Sequence, residues 1–183
     1  MRIVYTTSLI LILTSFFGVD TYSQAKIVVN IKQQNLYLIH RGDTLNVYRV
    51  STSINGIGAH KGSRKTPLGK HKIDYKIGDG MPIGTIFVSR ESTGKIAEIY
   101  KDKTDEDEDL VLTRILQLRG LEPGVNLGGN VDSYERRIYI HGTNEEGLIG
   151  VPASHGCIRM LNDDVIDLYD RVAVSTIVEI VEN

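Results

Sequence analysis

Apolar and polar residues alternate along most of the chain after Lys26, in short runs separated by turns that carry glycine. An alternation with a period of two is typical of half-buried β-strands. It predicts strands at residues 27–31, 36–39, 45–50, 70–75, 85–88, 110–118, 137–141 and 177–181. Val165, Leu168, Tyr169 and Val172 instead show the i, i+3, i+4, i+7 spacing of an amphipathic helix. The pattern therefore predicts a mainly β chain with one good helix.

The predicted helix starts beside residues that favour a helix N-terminus. Asn162 is the expected N-cap, because an asparagine side chain can accept a hydrogen bond from a free backbone amide of the first turn. Asp163 and Asp164 follow it and suit the positive end of the helix dipole. The helix is therefore expected to begin at Asn162, shortly after the cysteine.

Residues 101–109 have no apolar side chain and carry most of the local negative charge. Such a charge run is predicted to form a solvated hairpin tip. A calcium loop is the alternative, but the segment lacks the glycine and the final glutamate spacing of an EF-hand. The solvated tip is the favoured interpretation.

Length and composition indicate one ordered domain. The chain has 183 residues, of which 41% are hydrophobic and 24% charged, and its formal net charge is -2. This length suits a single core, and the apolar fraction is too high for a disordered chain. This net charge argues against a nucleic-acid partner, which would favour a clearly basic surface. A single cysteine also excludes a disulfide within the chain.

The first segment resembles an export signal. Arg2 precedes a short apolar stretch, and the small residues Ser23 and Ala25 stand where a signal peptidase reads. We expect residues 1–25 to be a signal peptide and residues 26–183 to be the mature domain, exported to the periplasm or cell envelope. An uncleaved segment acting as a membrane anchor is the alternative, although its apolar stretch is diluted by threonine and serine.

The candidate chemistry gathers between His141 and Arg159. Cys157 is the only thiol, and a neighbouring imidazole such as that of His141 could accept its proton. Gly156 leaves space for a substrate carbonyl, and amides of the turn at Gly156 and Cys157 could stabilise an oxyanion. These groups are the minimum set for acyl transfer. We expect the pair to lower the pKa of Cys157.

Two other interpretations of these residues stay open. A lone cysteine is often a small buried hydrophobic residue. Alternatively His141, His155 and Cys157 could hold a catalytic zinc, although no acidic residue stands at a typical ligand spacing beside them. The remaining histidines are expected to be ordinary surface groups, namely His40, His60 and His71.

A longer motif resembles a known family. The run IHGTN at residues 140–144, then Gly150, then the run SHGCIRM at residues 154–160 resemble the signature of the L,D-transpeptidase catalytic domain, the YkuD-like family. The turn TPLG at residues 66–69 fits the same family. The resemblance runs from about residue 26 to residue 181. It implies a mainly β, L,D-transpeptidase-like β-sandwich with one or two short helices, one of them after the cysteine.

The resemblance also implies roles for single residues. Cys157 corresponds to the nucleophile, and His141 to its general base. The Gly142 carbonyl would orient the imidazole. Ser154, His155 and Gly156 correspond to the residues that shape the turn and the oxyanion site.

Arg159 corresponds to a position that is basic or Asn in many members of the family. It is expected to support the loop or to meet a substrate carboxylate, and a salt bridge to Asp163 or Asp164 is the alternative.

The implied reaction joins two peptidoglycan stem peptides, one as donor and one as acceptor, in a 3→3 crosslink. The mechanism needs no metal or organic cofactor, and the resemblance implies acylation by carbapenem-type β-lactams. An L,D-carboxypeptidase or another cell-wall hydrolase would use the same Cys–His site with water as the acceptor. A non-catalytic cell-wall binding domain is the second alternative. The resemblance is weak around residues 91–121, and the motifs do not identify the acceptor.

Overall fold

The computed structural model describes residues 25–106 and 108–183. The predicted signal peptide lies outside these residues except for Ala25, which begins the first strand and is buried. The strands are β1 (Ala25–Asn30), β2 (Asn35–His40), β3 (Asp43–Ser51), β4 (Gly69–Ile77), β5 (Thr85–Val88), β6 (Glu91–Ile96), β7 (Val111–Gly120), β8 (Tyr139–Gly142), β9 (Ile158–Met160) and β10 (Ile177–Val181). The α-helix of the described part is α1 (Asn162–Arg171).

All ten strands belong to one sheet, in the order β4-β10-β1-β2-β3-β9-β8-β7-β5-β6. An additional antiparallel pairing between β4 and β7 closes eight of these strands into a ring. The pairs β1–β10 and β8–β9 are parallel, and the other pairs are antiparallel. The prediction of a mainly β fold with a helix after the cysteine is confirmed. The two layers of the expected β-sandwich belong to one closed sheet.

The main hydrophobic core fills the inside of this ring. Alternate residues of the strands, such as Ile27, Leu38 and Ile140, have no exposed surface. The helix α1 packs on β7 and β8 through its predicted apolar stripe, and Val165 and Leu168 are fully buried. Full burial of a side chain of this size contributes about 1.5–3 kcal/mol. The stripe therefore fixes the helix beside the strand that carries His141.

Three expectations from the sequence need correction. Asn162 is the first residue of α1 and not its N-cap, which is Leu161. The strand β6 was not predicted, because all six of its residues are exposed and show no apolar alternation. The segment between β6 and β7 is not a hairpin tip, since β5 pairs with both of these strands.

No helix within residues 25–106 and 108–183 is long and apolar enough to cross a membrane. The strand β1 pairs with β2 from Ala25 to Asn30 and with β10 from Lys26 to Asn30. Cleavage after Ala25 would therefore leave the pairing of β1 with β10 complete.

Candidate active site

Two neighbouring parallel strands bring the motif residues together. In the register of β8 and β9, His141 is paired with Arg159 and Ile140 with Ile158. Paired residues of neighbouring strands share a face, and successive side chains alternate between faces. Cys157 directly precedes β9, so its side chain lies on the face of His141, diagonally across about two residues of strand. With the usual strand spacing and rise, the two Cα atoms are about 8 Å apart.

The imidazole of His141 is held in one tautomer. His141 is fully buried, and its Nδ1 donates a hydrogen bond of 2.7 Å to the Gly142 carbonyl oxygen. A carbonyl can only accept, so Nδ1 carries the proton and Nε2 has a free lone pair. Among the described residues Nε2 has no hydrogen-bond partner. Burial lowers the pKa of His141, while the Asp109 charge and the Gly142 carbonyl act in the opposite direction. The site therefore holds a neutral imidazole able to accept a proton.

The Cys157 thiol is half-buried between the backbone of two residues. Its Sγ accepts a hydrogen bond from the Tyr139 amide and donates one to the Arg137 carbonyl oxygen, both at 3.4 Å. It is not hydrogen-bonded to His141 in this structure. A rotation about the Cα–Cβ bond would have to turn the sulfur towards the imidazole before proton transfer.

The expected depression of the thiol pKa is wrong for this structure. Burial, reinforced by the charge of Asp109, raises the pKa of Cys157 to about 12, although the Tyr139 amide and Arg159 act against the shift. Burial also lowers the pKa of His141. Both shifts disfavour a thiolate–imidazolium pair. The resting site is therefore a neutral thiol beside a neutral imidazole.

Cys157 lines two clefts. The Tyr139 cleft has a volume of about 230 Å³ and is lined by Phe87, Ser89, Arg90, Val111, Ile115, Arg137, Tyr139 and Cys157. The His155 cleft has a volume of about 260 Å³ and is lined by Lys61, Gly62, Arg64, Glu135, Arg136, Ile138, His155 and Cys157. The residue therefore borders two separate clefts.

The turn before Cys157 is tightly held. The Ser154 hydroxyl donates to the Cys157 carbonyl oxygen at 2.6 Å and accepts from the Gly156 amide at 3.2 Å. Gly156 has a φ of +125°, and a Cβ there would lie 3.2 Å from the Lys65 carbonyl oxygen. The turn therefore requires glycine. The amides of Gly156 and Cys157 are the two predicted oxyanion donors. In this conformation the Gly156 amide already donates to Ser154, so it would have to break that hydrogen bond before it could bind an oxyanion.

A buried ion triad supports the same turn. Arg159 is only 2% exposed, donates to Asp109 at 2.7 Å and forms an ion pair with the fully buried Glu145. Asp109 also accepts a hydrogen bond of 2.8 Å from the His155 amide. Burial alone would raise the pKa of Asp109, but the positive charges of His141, when it is protonated, and of Arg159 hold it below its ordinary value.

This triad corrects two expectations from the sequence. The carboxylate partners of Arg159 are Asp109 and Glu145, and the alternative of a salt bridge to Asp163 or Asp164 is wrong. The acidic segment is not solvated throughout, since Asp109, at its end, packs against the turn that precedes Cys157. The distance of 50 residues between Asp109 and Arg159 concealed the pair.

Asn162 braces the loop after β8, a role that the sequence did not indicate. Its Nδ2 donates to the Thr143 carbonyl oxygen and to Glu146, each at 2.8 Å, and its Oδ1 accepts from the Thr113 hydroxyl. A Cβ on Gly142 would lie 2.3 Å from that same Oδ1. Glycine at position 142 thus lets the asparagine approach the backbone that orients His141.

The other histidines do not gather around Cys157, and one of them, His71, is not at the surface. His155 has an exposed side chain, whereas His141 is buried, so the three residues of the zinc alternative do not form one cluster. Within the described residues, no group of three or more His, Cys, Asp or Glu side chains is placed to hold a metal ion. His71 was expected at the surface but is fully buried, with hydrogen bonds of 3.0 Å to Gly69 and Ser133.

The chain was compared with known proteins. The family model of the L,D-transpeptidase catalytic domain, YkuD, matches residues 24–180. ErfK/SrfK of Salmonella typhimurium, named as an L,D-transpeptidase, is 50% identical over 50 residues, which are 27% of this chain and 16% of the relative. YqjB of Bacillus subtilis, similarly named, is 43% identical over 58 residues, which are 31% of this chain and 33% of the relative. The matched part is thus a third or less of each curated relative.

Solved structures share the fold. L,D-transpeptidase 3 from Mycobacterium tuberculosis, in complex with a faropenem-derived adduct, gives a TM-score of 0.54 at 18% identity, covering 87% of this chain and 60% of that chain. An L,D-transpeptidase from Mycobacterium smegmatis gives a TM-score of 0.51 at 20% identity, with coverage of 86% and 58%.

The fold of the described residues is therefore that of the L,D-transpeptidases. Because the family model spans most of the sequence, the chain belongs to the L,D-transpeptidase catalytic domain family. Members of this family are acyltransferases.

Proposed function

We propose that this protein is a peptidoglycan L,D-transpeptidase that forms 3→3 crosslinks through an acyl-enzyme on Cys157. The observation that carries the proposal is the buried His141, whose Nε2 is free and whose tautomer is fixed, on the same face as a thiol that opens to solvent. A general base and a nucleophile in this relation are the core of cysteine acyl transfer.

In the acylation step, Cys157 attacks the carbonyl carbon of the third residue of a tetrapeptide stem. The thiol proton passes to His141 Nε2 as the S–C bond forms. Backbone amides of the turn, among them that of Cys157, would stabilise the oxyanion, and removal of one such donor typically costs about 3 kcal/mol of transition-state stabilisation. The imidazolium then protonates the departing amine of D-alanine, which leaves a thioester and restores neutral His141.

Neutral resting groups favour a concerted version of this step. Since burial raises the pKa of Cys157 and lowers that of His141, the proton has to move as the sulfur attacks, and not beforehand. Asp109, whose charge raises the pKa of His141, would stabilise the imidazolium that forms.

The second step needs an amine that reaches the thioester. The two clefts that Cys157 lines support a transferase, because they offer separate places for a donor and an acceptor beside this residue. The side-chain amine of a neighbouring stem attacks the thioester carbonyl and loses a proton to His141. The S–C bond then breaks and Cys157 takes the proton back.

The test is digestion of tetrapeptide muropeptides, with products identified by mass spectrometry. Crosslinked dimers that lack one D-alanine are expected with the wild type, and no change with Cys157→Ala or His141→Ala. Tripeptides without dimers would instead identify an L,D-carboxypeptidase. Unaltered muropeptides with the wild type would indicate a non-catalytic wall-binding domain.

We also propose that the chain is exported to the cell envelope, with residues 1–25 as the signal. The support is the order of a positive residue, an apolar stretch and small residues in that segment. Cell fractionation and N-terminal sequencing of the envelope form test this proposal, and a cytoplasmic protein that keeps Met1 would contradict it.

A further inference from the structure

Three arginines around Cys157 have left-handed backbone conformations. The φ angle is +55° at Arg64, +74° at Arg90 and +59° at Arg137. This region is unfavourable for residues with a Cβ, and residues held there cluster at functional sites. Glycine would fit each position with less strain. The positions therefore carry an arginine side chain at a conformational cost, and all three border clefts that reach the thiol.

Arg90 and Arg137 lie on the rim of the Tyr139 cleft, opposite an apolar wall that includes Phe87 and Val111. The Arg90 guanidinium is held in place by two hydrogen bonds, in which its Nη1 donates to the Gln117 side-chain oxygen at 3.2 Å and to the Tyr134 hydroxyl at 3.4 Å. A guanidinium has five N–H donors, so these two contacts leave donors for a ligand.

Neither arginine of this rim forms an ion pair in the part of the chain that the structure describes. Within residues 25–106 and 108–183, no carboxylate lies within 4.0 Å of the Arg90 or Arg137 guanidinium. Arg119 and Arg159, in contrast, each donate to an aspartate at 2.9 Å or less. A net negative protein thus leaves unpaired positive charge next to its only thiol.

An unpartnered hydroxyl in the same cleft provides independent evidence for a ligand. Tyr139 is only 5% exposed and lines the cleft, yet its hydroxyl has no hydrogen-bond partner among the described residues. A buried hydroxyl without a partner is costly, and such groups are usually satisfied by a bound molecule or by water.

We propose that the Tyr139 cleft binds a carboxylate of the acyl donor through the Arg90 and Arg137 guanidinium groups and the Tyr139 hydroxyl. This assignment rests on the proposed function and names the donor's chemistry. The cleft volume of about 230 Å³ suits one or two amino-acid residues, not a whole stem. The carboxylate therefore belongs to the leaving D-alanine or to the side chain of the third residue, both next to the attacked carbonyl.

Alkylation of the full chain tests the anion preference without a wall substrate. Iodoacetate carries a carboxylate and iodoacetamide does not, so the ratio of their rate constants at Cys157 reports the local anion site. We expect Arg90→Gln and Arg137→Gln each to lower that ratio about tenfold, while iodoacetamide alone reacts as with the wild type. Arg41→Gln is the matched control, because Arg41 is exposed and left-handed with a φ of +52°, in the turn between β2 and β3. A ratio unchanged in both cleft variants would overturn the assignment.

Synthetic donors identify the carboxylate. Tetrapeptides with both carboxylates free, with the D-alanine amidated, or with the third-residue carboxylate amidated are compared by the rate of thioester formation, measured by intact mass. One of the two amides should react about 10- to 100-fold more slowly with the wild type, as expected for the loss of charge-assisted hydrogen bonds. Arg90→Gln should make this difference in rate between the two donors several-fold smaller, and Arg41→Gln should not change it.

The outcomes separate the two levels of the proposal. Equal rates for all three donors would overturn the carboxylate assignment and leave the transpeptidase intact. Absence of a thioester with any donor would overturn the proposed function, and the assignment to a donor carboxylate with it.

Discussion

Lowering the pH from neutral towards 4 should destabilise the protein through one buried side chain, His71 on β4. Its Nδ1 donates to the Gly69 carbonyl and its Nε2 accepts from the Ser133 hydroxyl, so the folded state holds the neutral ring. Burial lowers the pKa of His71 from 6.5 to about 4. The unfolded chain binds a proton below pH 6.5, whereas the folded chain does so only near pH 4.

The magnitude follows from this difference in pKa. The contribution of His71 to stability is complete above pH 6.5 and is lost as the pH falls towards 4. A shift of one pKa unit corresponds to 1.36 kcal/mol, so the loss over the whole window is about 3 kcal/mol. Carboxylates with lowered pKa values, such as Asp109 and Asp132, add their own losses mainly below this window.

Urea unfolding between pH 7 and 4.5 measures the effect. The free energy of unfolding of the wild type should fall by about 2–3 kcal/mol more than that of His71→Gln, whose side chain does not titrate. His60→Gln is the control, because His60 is exposed, and it should keep the pH slope of the wild type. The same slope in wild type and His71→Gln would refute the reasoning.

The remaining predictions concern the site. The rate of Cys157 alkylation by iodoacetamide should keep rising about tenfold per pH unit from pH 7 to 10, because burial raises the thiol pKa to about 12, and a plateau near pH 8.5 would contradict this. Gly142→Ala should lower the free energy of unfolding, measured in urea, by about 1–3 kcal/mol, because the new Cβ would lie 2.3 Å from Asn162 Oδ1. An unchanged free energy of unfolding would mean that the Asn162 side chain can move away without cost. Arg159→Ala should lower the free energy of unfolding by about 3–5 kcal/mol, since it leaves the buried carboxylates of Asp109 and Glu145 without a positive partner. The control Lys72→Ala, which removes a more exposed ion pair, should lower the free energy of unfolding by less than about 1 kcal/mol. Similar losses in both variants would show that burial of the triad does not add to the cost of breaking it.

Much of the sheet could be predicted because its strands have one buried and one exposed face. The strands β6 and β9 could not be predicted, because neither shows a pattern with a period of two. The strand β6 is exposed on both faces, and β9 is only three residues long. The burial of His71 did have a signal. It stands two residues before the buried Ile73 on the same strand, and therefore on the same face.

The site shows the same division between local and long-range information. The histidine and the cysteine could be named because the motif is local, and the orienting carbonyl of Gly142 lies next to its histidine. The pairing of Asp109 with Arg159 depends on how the chain folds back over 50 residues, and a run of acidic side chains gives no sign of it. The left-handed backbone of Arg90 could not be predicted from the sequence either, because arginine has no preference for that conformation.

The position of β10 in the ring has a consequence for synthesis. This strand covers residues 177–181 and lies between β1 and β4, so β1 has no partner on that side until those residues have left the ribosome. The pairing of β1 with β10 joins segments that lie far apart in sequence, and such long-range pairing makes folding slow. The sheet therefore cannot close around its core until residues 177–181 have been made.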